Sequence, residues 1–212
     1  MTNPSRPRLY LVTPPLGEAA SFLRELRTAL AAGDVAALLL RLEPADERTL
    51  INRAKSVAAV VQRRDVALLL DDHPELAARA GVDGAHLFGI SALTEAIGAL
   101  KPDRIAGAGG LRSRHDAMLA GEAGADYVMF GDPDGRGSRP PLEATTERLG
   151  WWSQLFEPPC VGYAGSNDEI APLAQAGADF IALGEWLWMQ NEGPAAAIAA
   201  AALLLAQPAL RS

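Results

Sequence analysis

The stretch that decides the fold runs from residue 68 to residue 89 and reads LLLDDHPELAARAGVDGAHLFG. An apolar run ends there in Asp71, Asp72 and His73, a helical segment follows, and a second short apolar run carries His86. A short run that is apolar on both faces and leads into a helix is typical of a strand in a parallel sheet, because crossover helices cover both faces of such a sheet. The stretch therefore predicts two parallel strands joined by a helix.

The same alternation continues outward in both directions along the chain. Short apolar runs alternate with segments of helical spacing such as DERTLINRAKSVAAVVQRR, and length and period separate the two kinds of element. Eight such units predict an α/β fold, a closed (β/α)8 TIM barrel that forms a single domain over residues 1–212. The alternative is a doubly wound open sheet, which often has a glycine-rich first turn. The predicted strands are 9–13, 35–42, 66–71, 84–87, 104–109, 127–131, 160–164 and 180–184.

Composition and charge exclude several classes of partner. The chain has a net charge of −7 and no basic stripe that would neutralise phosphates, which excludes a nucleic-acid partner. The single Cys160 excludes an internal disulfide and suits a reducing cytosol, and we expect it to be buried. No apolar signal core opens the sequence, and the Ala-rich segment 195–210 is shorter than a membrane span, so we predict a packed final helix and a cytoplasmic protein. The sequence leaves open whether the protein forms a homo-oligomer.

A glycine–aspartate pattern recurs as AGVD from residue 80 and as AGAD from residues 123 and 176. We interpret each glycine as the left-handed cap of a helix and each aspartate as the start of the next strand. These turns belong to the bottom face of a barrel, where residues serve stability, whereas chemistry takes place at the carboxyl ends of the strands. The pattern therefore predicts structure rather than a site.

The residues AGSN at 164–167 follow the seventh predicted strand and lead into a helix. Backbone N–H groups of Ala164, Gly165 and Ser166, with the Ser166 hydroxyl, predict an anion site, since barrels often bind phosphate in the loops after strands 7 and 8. The alternative is a simple helix cap by Ser166 or Asn167.

The loop 131–141, GDPDGRGSRPP, is the longest in the sequence. A loop of this length over a barrel mouth is often a lid or a clamp, and Arg136 or Arg139 in it could grip phosphate through both guanidinium nitrogens. The alternative is that both are solvated surface charges. His115 lies in a helical run, and we expect it at the surface.

The aspartates after the third strand suggest a metal. A hard cation such as Mg²⁺ takes carboxylate oxygens together with substrate phosphate, and Asp71 and Asp72 supply such oxygens. Because His73-Pro74 begins a helix, the alternative is that Asp72 is only its N-cap.

Together these motifs resemble the family of thiamine phosphate synthase and its relative the thiazole tautomerase TenI. The resemblance covers nearly the whole chain and includes YLVT, the stretch 68–89, RIAGAG, GADYVMFG, the residues around AGS and AGADFIALG, in family order. It implies a compact (β/α)8 barrel. It also implies a reaction in which a pyrimidine methyl diphosphate is joined to a thiazole phosphate with Mg²⁺ and pyrophosphate is expelled.

The resemblance implies roles for particular residues. At the second strand a Gln-x-Arg-x-Lys pattern keeps only Arg41, with Leu39 and Glu43 at the other two positions. Asp72 takes the position of a metal aspartate, while FGIS after His86-Leu87 contains no second one. Asp132 stands where the tautomerase has its histidine and becomes the candidate acid/base. The implied ligand-binding residues are Arg139, Ala164, Gly165, Ser166 and Gly184, with Glu185 near the place of a phosphate-binding serine.

Three functional hypotheses follow. The first is a divergent synthase- or TenI-like protein of thiamine biosynthesis or salvage that binds a small thiazole- or pyrimidine-phosphate-like heterocycle with reduced or altered catalysis. The second is a non-catalytic paralogue that senses a ligand or binds a partner, for which an exposed set among Trp151, Trp152, Trp186 and Trp188 would form the surface. The third is a different reaction on the same barrel.

Overall fold

A computed structural model describes residues 6–206. Its eight parallel strands pair in sequence order and close, because the first strand pairs with both the second and the eighth. The predicted barrel is confirmed, and the open-sheet alternative is wrong. The strands are β1 Arg8–Val12, β2 Val35–Leu40, β3 Ala67–Asp71, β4 Gly84–Phe88, β5 Ile105–Gly109, β6 Tyr127–Phe130, β7 Cys160–Ala164 and β8 Phe180–Leu183.

One helix follows each strand. The helices are α1 Ala19–Leu30, α2 Glu47–Val61, α3 Pro74–Ala80, α4 Ile90–Leu100, α5 Arg114–Ala123, α6 Leu142–Leu155, α7 Ile170–Gln175 and α8 Pro194–Ala206. Short 3₁₀ helices occupy Gln62–Arg64, Asn167–Glu169 and Glu185–Met189. The final helix α8 covers most of the predicted segment 195–210, whose last residues lie outside the described part. Within residues 6–206, no helix is both long and apolar enough to cross a membrane.

The apolar residues divide into two clusters, because side chains of a strand alternate between the inside of the barrel and the helix layer. The outer cluster packs strands against helices and contains the buried Cys160 and Trp152. The inner cluster fills the barrel with residues such as Tyr10, Leu39 and Leu69. Residues two positions further along each strand face the mouth, which places Arg41 and Asp71 directly above this inner cluster.

The three glycine–aspartate turns stabilise the bottom of the barrel, as predicted. Gly81, Gly124 and Gly177 have φ values of 68°, 96° and 98°, the left-handed region that glycine adopts without strain. The aspartates also form hydrogen bonds that the sequence did not predict. The carboxylates of Asp83, Asp126 and Asp179 each accept a hydrogen bond of 2.7–2.8 Å from the backbone N–H of a neighbouring strand. Each bond joins adjacent strands and contributes about 1 kcal/mol or more.

Candidate functional site

Arg41 lies at the mouth of the barrel between two carboxylates. Its Nε is 3.3 Å from Asp71 Oδ2, and its Nη1 forms an ion pair with Glu185 on the opposite side. The backbone N–H of Arg41 donates to the buried Thr13 hydroxyl, which fixes the start of the loop after β2. The guanidinium of Arg41 is therefore paired with two carboxyl groups of the chain itself before any ligand arrives.

Asp71 ends β3 and faces the inside of the mouth. Burial raises the pKa of its carboxyl to about 6, and the Arg41 guanidinium opposes this shift only in part. A neighbouring charge on Asp72 adds to the increase. The group changes its protonation near neutral pH, which is a property of acid/base and ligand-binding sites.

Asp72 is exposed and bonds to the neighbouring strand. Its backbone has φ 52°, in the left-handed region, and its Oδ1 accepts a 2.9 Å hydrogen bond from Phe88 N–H at the end of β4. The interpretation of Asp72 as a helix cap is wrong, because His73 occupies the N-cap position of α3 and the Asp72 carboxylate bonds across to the next strand instead. Within residues 6–206, no group of three or more His, Cys, Asp or Glu side chains forms a metal cage.

Asp132 follows β6 and approaches the backbone of β5. Its Oδ2 accepts a 2.8 Å hydrogen bond from Gly110 N–H. Burial raises the pKa of the Asp132 carboxyl to about 6, with hydrogen bonds from backbone N–H groups opposing the increase. A Cβ at Gly109 would stand 2.6 Å from this Oδ2 and would overlap His86 Nε2, so only glycine lets both side chains reach this spot.

His86 is buried inside the barrel on β4. Its Nδ1 is 2.8 Å from the Tyr127 hydroxyl, which is in turn 2.9 Å from the Tyr10 hydroxyl. Burial lowers the pKa of His86 to about 4, so the imidazole is neutral at physiological pH. The opposite ring nitrogen, Nε2, lies beside Gly109, where a Cβ would stand only 2.4 Å from it.

Arg139 crosses the mouth from the loop after β6 to the end of β7. Its guanidinium donates to the carbonyls of Gly131 and Tyr163 at 2.8 and 2.9 Å and lies 5.0 Å from the centroid of the Tyr163 ring. It also forms an ion pair with Glu169, with Nη2 to Oε2 at 2.8 Å. A Cβ at Gly165 would overlap the guanidinium, so Arg139 lies directly on the glycine backbone.

The predicted anion site at 164–166 comes together only in part. Gly165 does lie against Arg139, but its N–H donates a 2.7 Å hydrogen bond to Glu169 Oε2. The Ala164 carbonyl accepts from Trp186 Nε1 at 2.8 Å. Ser166 occupies the N-cap position of the short 3₁₀ helix Asn167–Glu169, as the cap alternative had it, but its side chain forms no cap hydrogen bond.

The remaining predicted residues divide between mouth and surface. Gly184 lies against the Tyr163 hydroxyl, where a Cβ would overlap the phenol. Arg136 is exposed on the loop, as is His115 on α5. Beside Asp132 and Arg139, a cavity of about 300 Å³ opens between the loops after β5 and β6; Phe88, Gly110, Arg112 and Arg148 also line it.

Sequence reasoning assigned no role to Glu169, Tyr127 or Tyr163. Tyr127 and Tyr163 are aromatic residues in apolar runs, a pattern that predicts a strand rather than a polar contact. Glu169 stands four residues after Gly165 in a segment whose acidic character predicts only a solvated turn. A signal was present in the opposite charge of Arg139, but the two residues are thirty positions apart and pair only through the fold.

The closed barrel, with charged groups collected at the carboxyl ends of its strands, defines a (β/α)8 protein whose candidate site lies at the mouth. The chain belongs to the thiamine monophosphate synthase family, whose family model matches residues 9–187. Two relatives described as thiamine-phosphate synthase are similar over most of their lengths. The one from Rhodospirillum centenum is 45% identical over 91% of this chain and 94% of its own. The one from Hyphomonas neptunium is 40% identical over 94% and 96%.

A solved structure supports the fold. The thiamine phosphate pyrophosphorylase from Pyrococcus furiosus superposes with a TM-score of 0.77 at 23% identity, covering 95% of this chain and 96% of its own. At this identity the likeness concerns the barrel alone.

Proposed function

We propose that this member of the thiamine monophosphate synthase family binds a thiazole- or pyrimidine-phosphate-like ligand at the barrel mouth, in thiamine biosynthesis or salvage, with reduced or altered catalysis. One observation carries the proposal: two arginines of the mouth, Arg41 and Arg139, are already paired with carboxylates of the chain itself. The relatives named as synthases favour the ligand class, and the internal ion pairs favour a change in how that ligand is handled.

Arg139 and the Gly165 N–H are the groups that suit a ligand phosphate. A guanidinium and a backbone N–H that point to the same place match two oxygens of a phosphate. Here both converge on one carboxylate, which has the same sign of charge and a similar spacing of oxygens. Gly184 and the Tyr163 hydroxyl form the neighbouring wall on β8 and β7.

Arg41 suits the departing diphosphate of a synthase less well. A transition state that separates pyrophosphate requires concentrated positive charge and a metal. Asp71 and Glu185 neutralise the Arg41 guanidinium, and Glu43 is exposed at the rim. A carboxylate about 4 Å from a phosphate repels it by roughly 1 kcal/mol in water-like surroundings and by more where water is excluded.

Mg²⁺ fits the residues present when the ligand supplies most of the coordination. One carboxylate oxygen of Asp72 accepts the hydrogen bond from Phe88 N–H, and the other can coordinate a cation. Mg²⁺ typically binds one or two carboxylates and completes its shell with phosphate oxygens and water. We therefore assign Asp72 as its protein ligand.

Asp132 is the proposed acid/base residue. A carboxyl with a pKa of about 6 is divided between its protonated and ionised forms near neutral pH, which suits proton transfer in either direction. It borders the open cavity between the loops after β5 and β6, so a ligand can reach it.

Calorimetry tests the binding proposal. We expect thiazole phosphate or thiamine phosphate to bind at micromolar concentration, and more tightly with Mg²⁺. A coupled assay for pyrophosphate release should show slow or no turnover. No heat of binding with either ligand, with and without Mg²⁺, would overturn the proposal, and turnover at the rate of an ordinary synthase would overturn its catalytic part.

A second candidate is a non-catalytic paralogue that senses a ligand, favoured by the same neutralised arginines. The partner surface imagined from the tryptophans gains no support, since Trp152 is fully buried and Trp151, Trp186 and Trp188 are partly buried. The double variant Glu43→Lys/Glu185→Ser separates the candidates. Synthase activity gained by this variant supports a weakened enzyme, and unchanged inactivity with intact binding supports a sensor.

A further inference from the structure

We infer that Glu169 is an internal anion that occupies the phosphate position of the mouth and must leave it before a ligand phosphate can bind. The inference rests on the proposed function and names the residue that sets the affinity of the barrel mouth for phosphate. It makes Glu169 a determinant of specificity, because only a group that competes better than a carboxylate for Arg139 and Gly165 can enter.

The hydrogen bonds of Glu169 are those expected of a bound anion. Its Oε2 accepts from Gly165 N–H at 2.7 Å and from Arg139 Nη2 at 2.8 Å, and its Oε1 is 3.3 Å from Arg139 Nη1. This is the paired geometry in which a guanidinium holds a carboxylate or a phosphate. Burial favours the neutral acid, but the bonds from Arg139 and Gly165 outweigh it and leave the pKa of Glu169 lowered.

Arg139 is held in place independently of Glu169. Gly131 and Tyr163 each accept a hydrogen bond from the guanidinium through a backbone carbonyl, and the Tyr163 ring lies beneath it. These contacts come from β6 and β7, so they persist when the carboxylate moves. The arginine and the Gly165 N–H therefore form a preorganised receptor for an oxyanion.

The side chain of Glu169, by contrast, can move away from the phosphate position. It ends the short 3₁₀ helix Asn167–Glu169 at the rim of the barrel, and its side chain keeps 21% of its surface exposed. A change of rotamer would carry the carboxylate into water, where hydration replaces the hydrogen bonds that it gives up. A phosphate dianion offers more charge and more acceptor oxygens than the carboxylate that it displaces, so exchange favours the phosphate.

The experiment compares Glu169→Gln with Asp168→Asn, titrating each with inorganic phosphate and with thiazole phosphate. Asp168 is the exposed neighbour in the same turn, so its variant makes the same charge change without touching Arg139. We expect Glu169→Gln to bind both probes about tenfold more tightly than the parent, since a neutral amide competes less well for the guanidinium, and Asp168→Asn to stay near the parent.

Two controls test for a folding defect. The melting temperature of each variant shows whether it is folded, and Glu169→Ala removes the carboxylate by a second, independent substitution. Tighter binding by both Glu169 variants supports the inference, even if the parent binds neither probe. If the parent binds thiazole phosphate and the Glu169 variants bind it no more tightly than Asp168→Asn does, the inference is overturned while the proposed function stands. If parent and variants all fail to bind, both are overturned.

Discussion

His86 and Tyr127 share a 2.8 Å hydrogen bond inside the barrel, and it determines where the imidazole carries its proton. If Tyr10 donates to Tyr127 and Tyr127 donates to His86 Nδ1, every hydroxyl proton of the chain has an acceptor. The reverse direction leaves the buried Tyr10 proton without an acceptor among the described residues, at a cost of about 1–3 kcal/mol. The proton therefore resides on Nε2, the nitrogen that lies beside Gly109.

This arrangement predicts that His86 stays neutral far below the usual range for histidine. Nitrogen NMR should show the Nε2–H form unchanged from pH 8 to pH 5, with titration near the pKa of about 4. Because the folded pKa is lowered, the unfolded chain binds the proton first, and stability falls as the pH drops from 6.5 toward 4. The loss should be on the order of 3 kcal/mol and should be absent from His86→Gln. Titration of His86 between pH 6 and 7 would contradict the prediction.

Asp132→Asn should stabilise the protein above pH 6. The raised pKa means that the folded state holds a proton between about pH 3.8 and 6 that the unfolded chain has lost, so stability falls as the pH rises through this window. Urea unfolding at pH 7.5 should show a gain of roughly 1–3 kcal/mol for the variant, and at pH 3.5 none. Under the proposed function the same change removes proton transfer, so stability and turnover move in opposite directions.

Asp134 in the same loop supplies the control, because its pKa is shifted in the opposite direction from that of Asp132. Hydrogen bonds from Ser138 N–H and Arg136 N–H lower the pKa of Asp134. Asp134→Asn should therefore destabilise the protein at neutral pH, and the difference should disappear in acid. Equal behaviour of the two variants would show that the pH dependence has another source.

The fold was readable from the sequence because each strand is a short run buried on both faces, a pattern that depends only on neighbours in the chain. The glycine turns were readable for the same reason. The site was only partly readable, since its polar contacts join residues that are distant in sequence. Arg139 was predicted as a clamp, yet its partner Glu169 follows no motif. Asp72 follows β3 as predicted, but its left-handed φ, which turns the carboxylate toward Phe88, is adopted by only a small minority of aspartates and could not be read from the sequence.

Asp72 has two separable roles, one structural and one proposed for Mg²⁺. Asp72→Asn keeps an oxygen that can accept from Phe88 N–H, whereas Asp72→Ala leaves that N–H without its partner. We expect the alanine variant to lose about 1–2 kcal/mol of unfolding free energy and the asparagine variant to stay close to the parent. Both should lose the tightening of ligand binding by Mg²⁺ in calorimetry. If Asp72→Asn retains it in full, Asp72 does not bind the metal.

Gly109 should tolerate a side chain poorly, because His86 and Asp132 each lie against the position that its Cβ would take. In Gly109→Ala the new methyl group would overlap Nε2 and stand 2.6 Å from Oδ2. Neither neighbour can retreat freely, since Tyr127 holds the imidazole and Gly110 N–H holds the carboxylate. Overpacking of this kind typically costs about 1–3 kcal/mol in chemical denaturation. Gly98→Ala in α4 is the matched control: a Cβ there meets nothing within 4 Å, so the gain in helix propensity should stabilise the protein by about 0.5–1 kcal/mol. If Gly109→Ala is stable and its ligand affinity is unchanged, the side chains of His86 and Asp132 are free to move apart. The position of Asp132 is then not determined by its packing against Gly109.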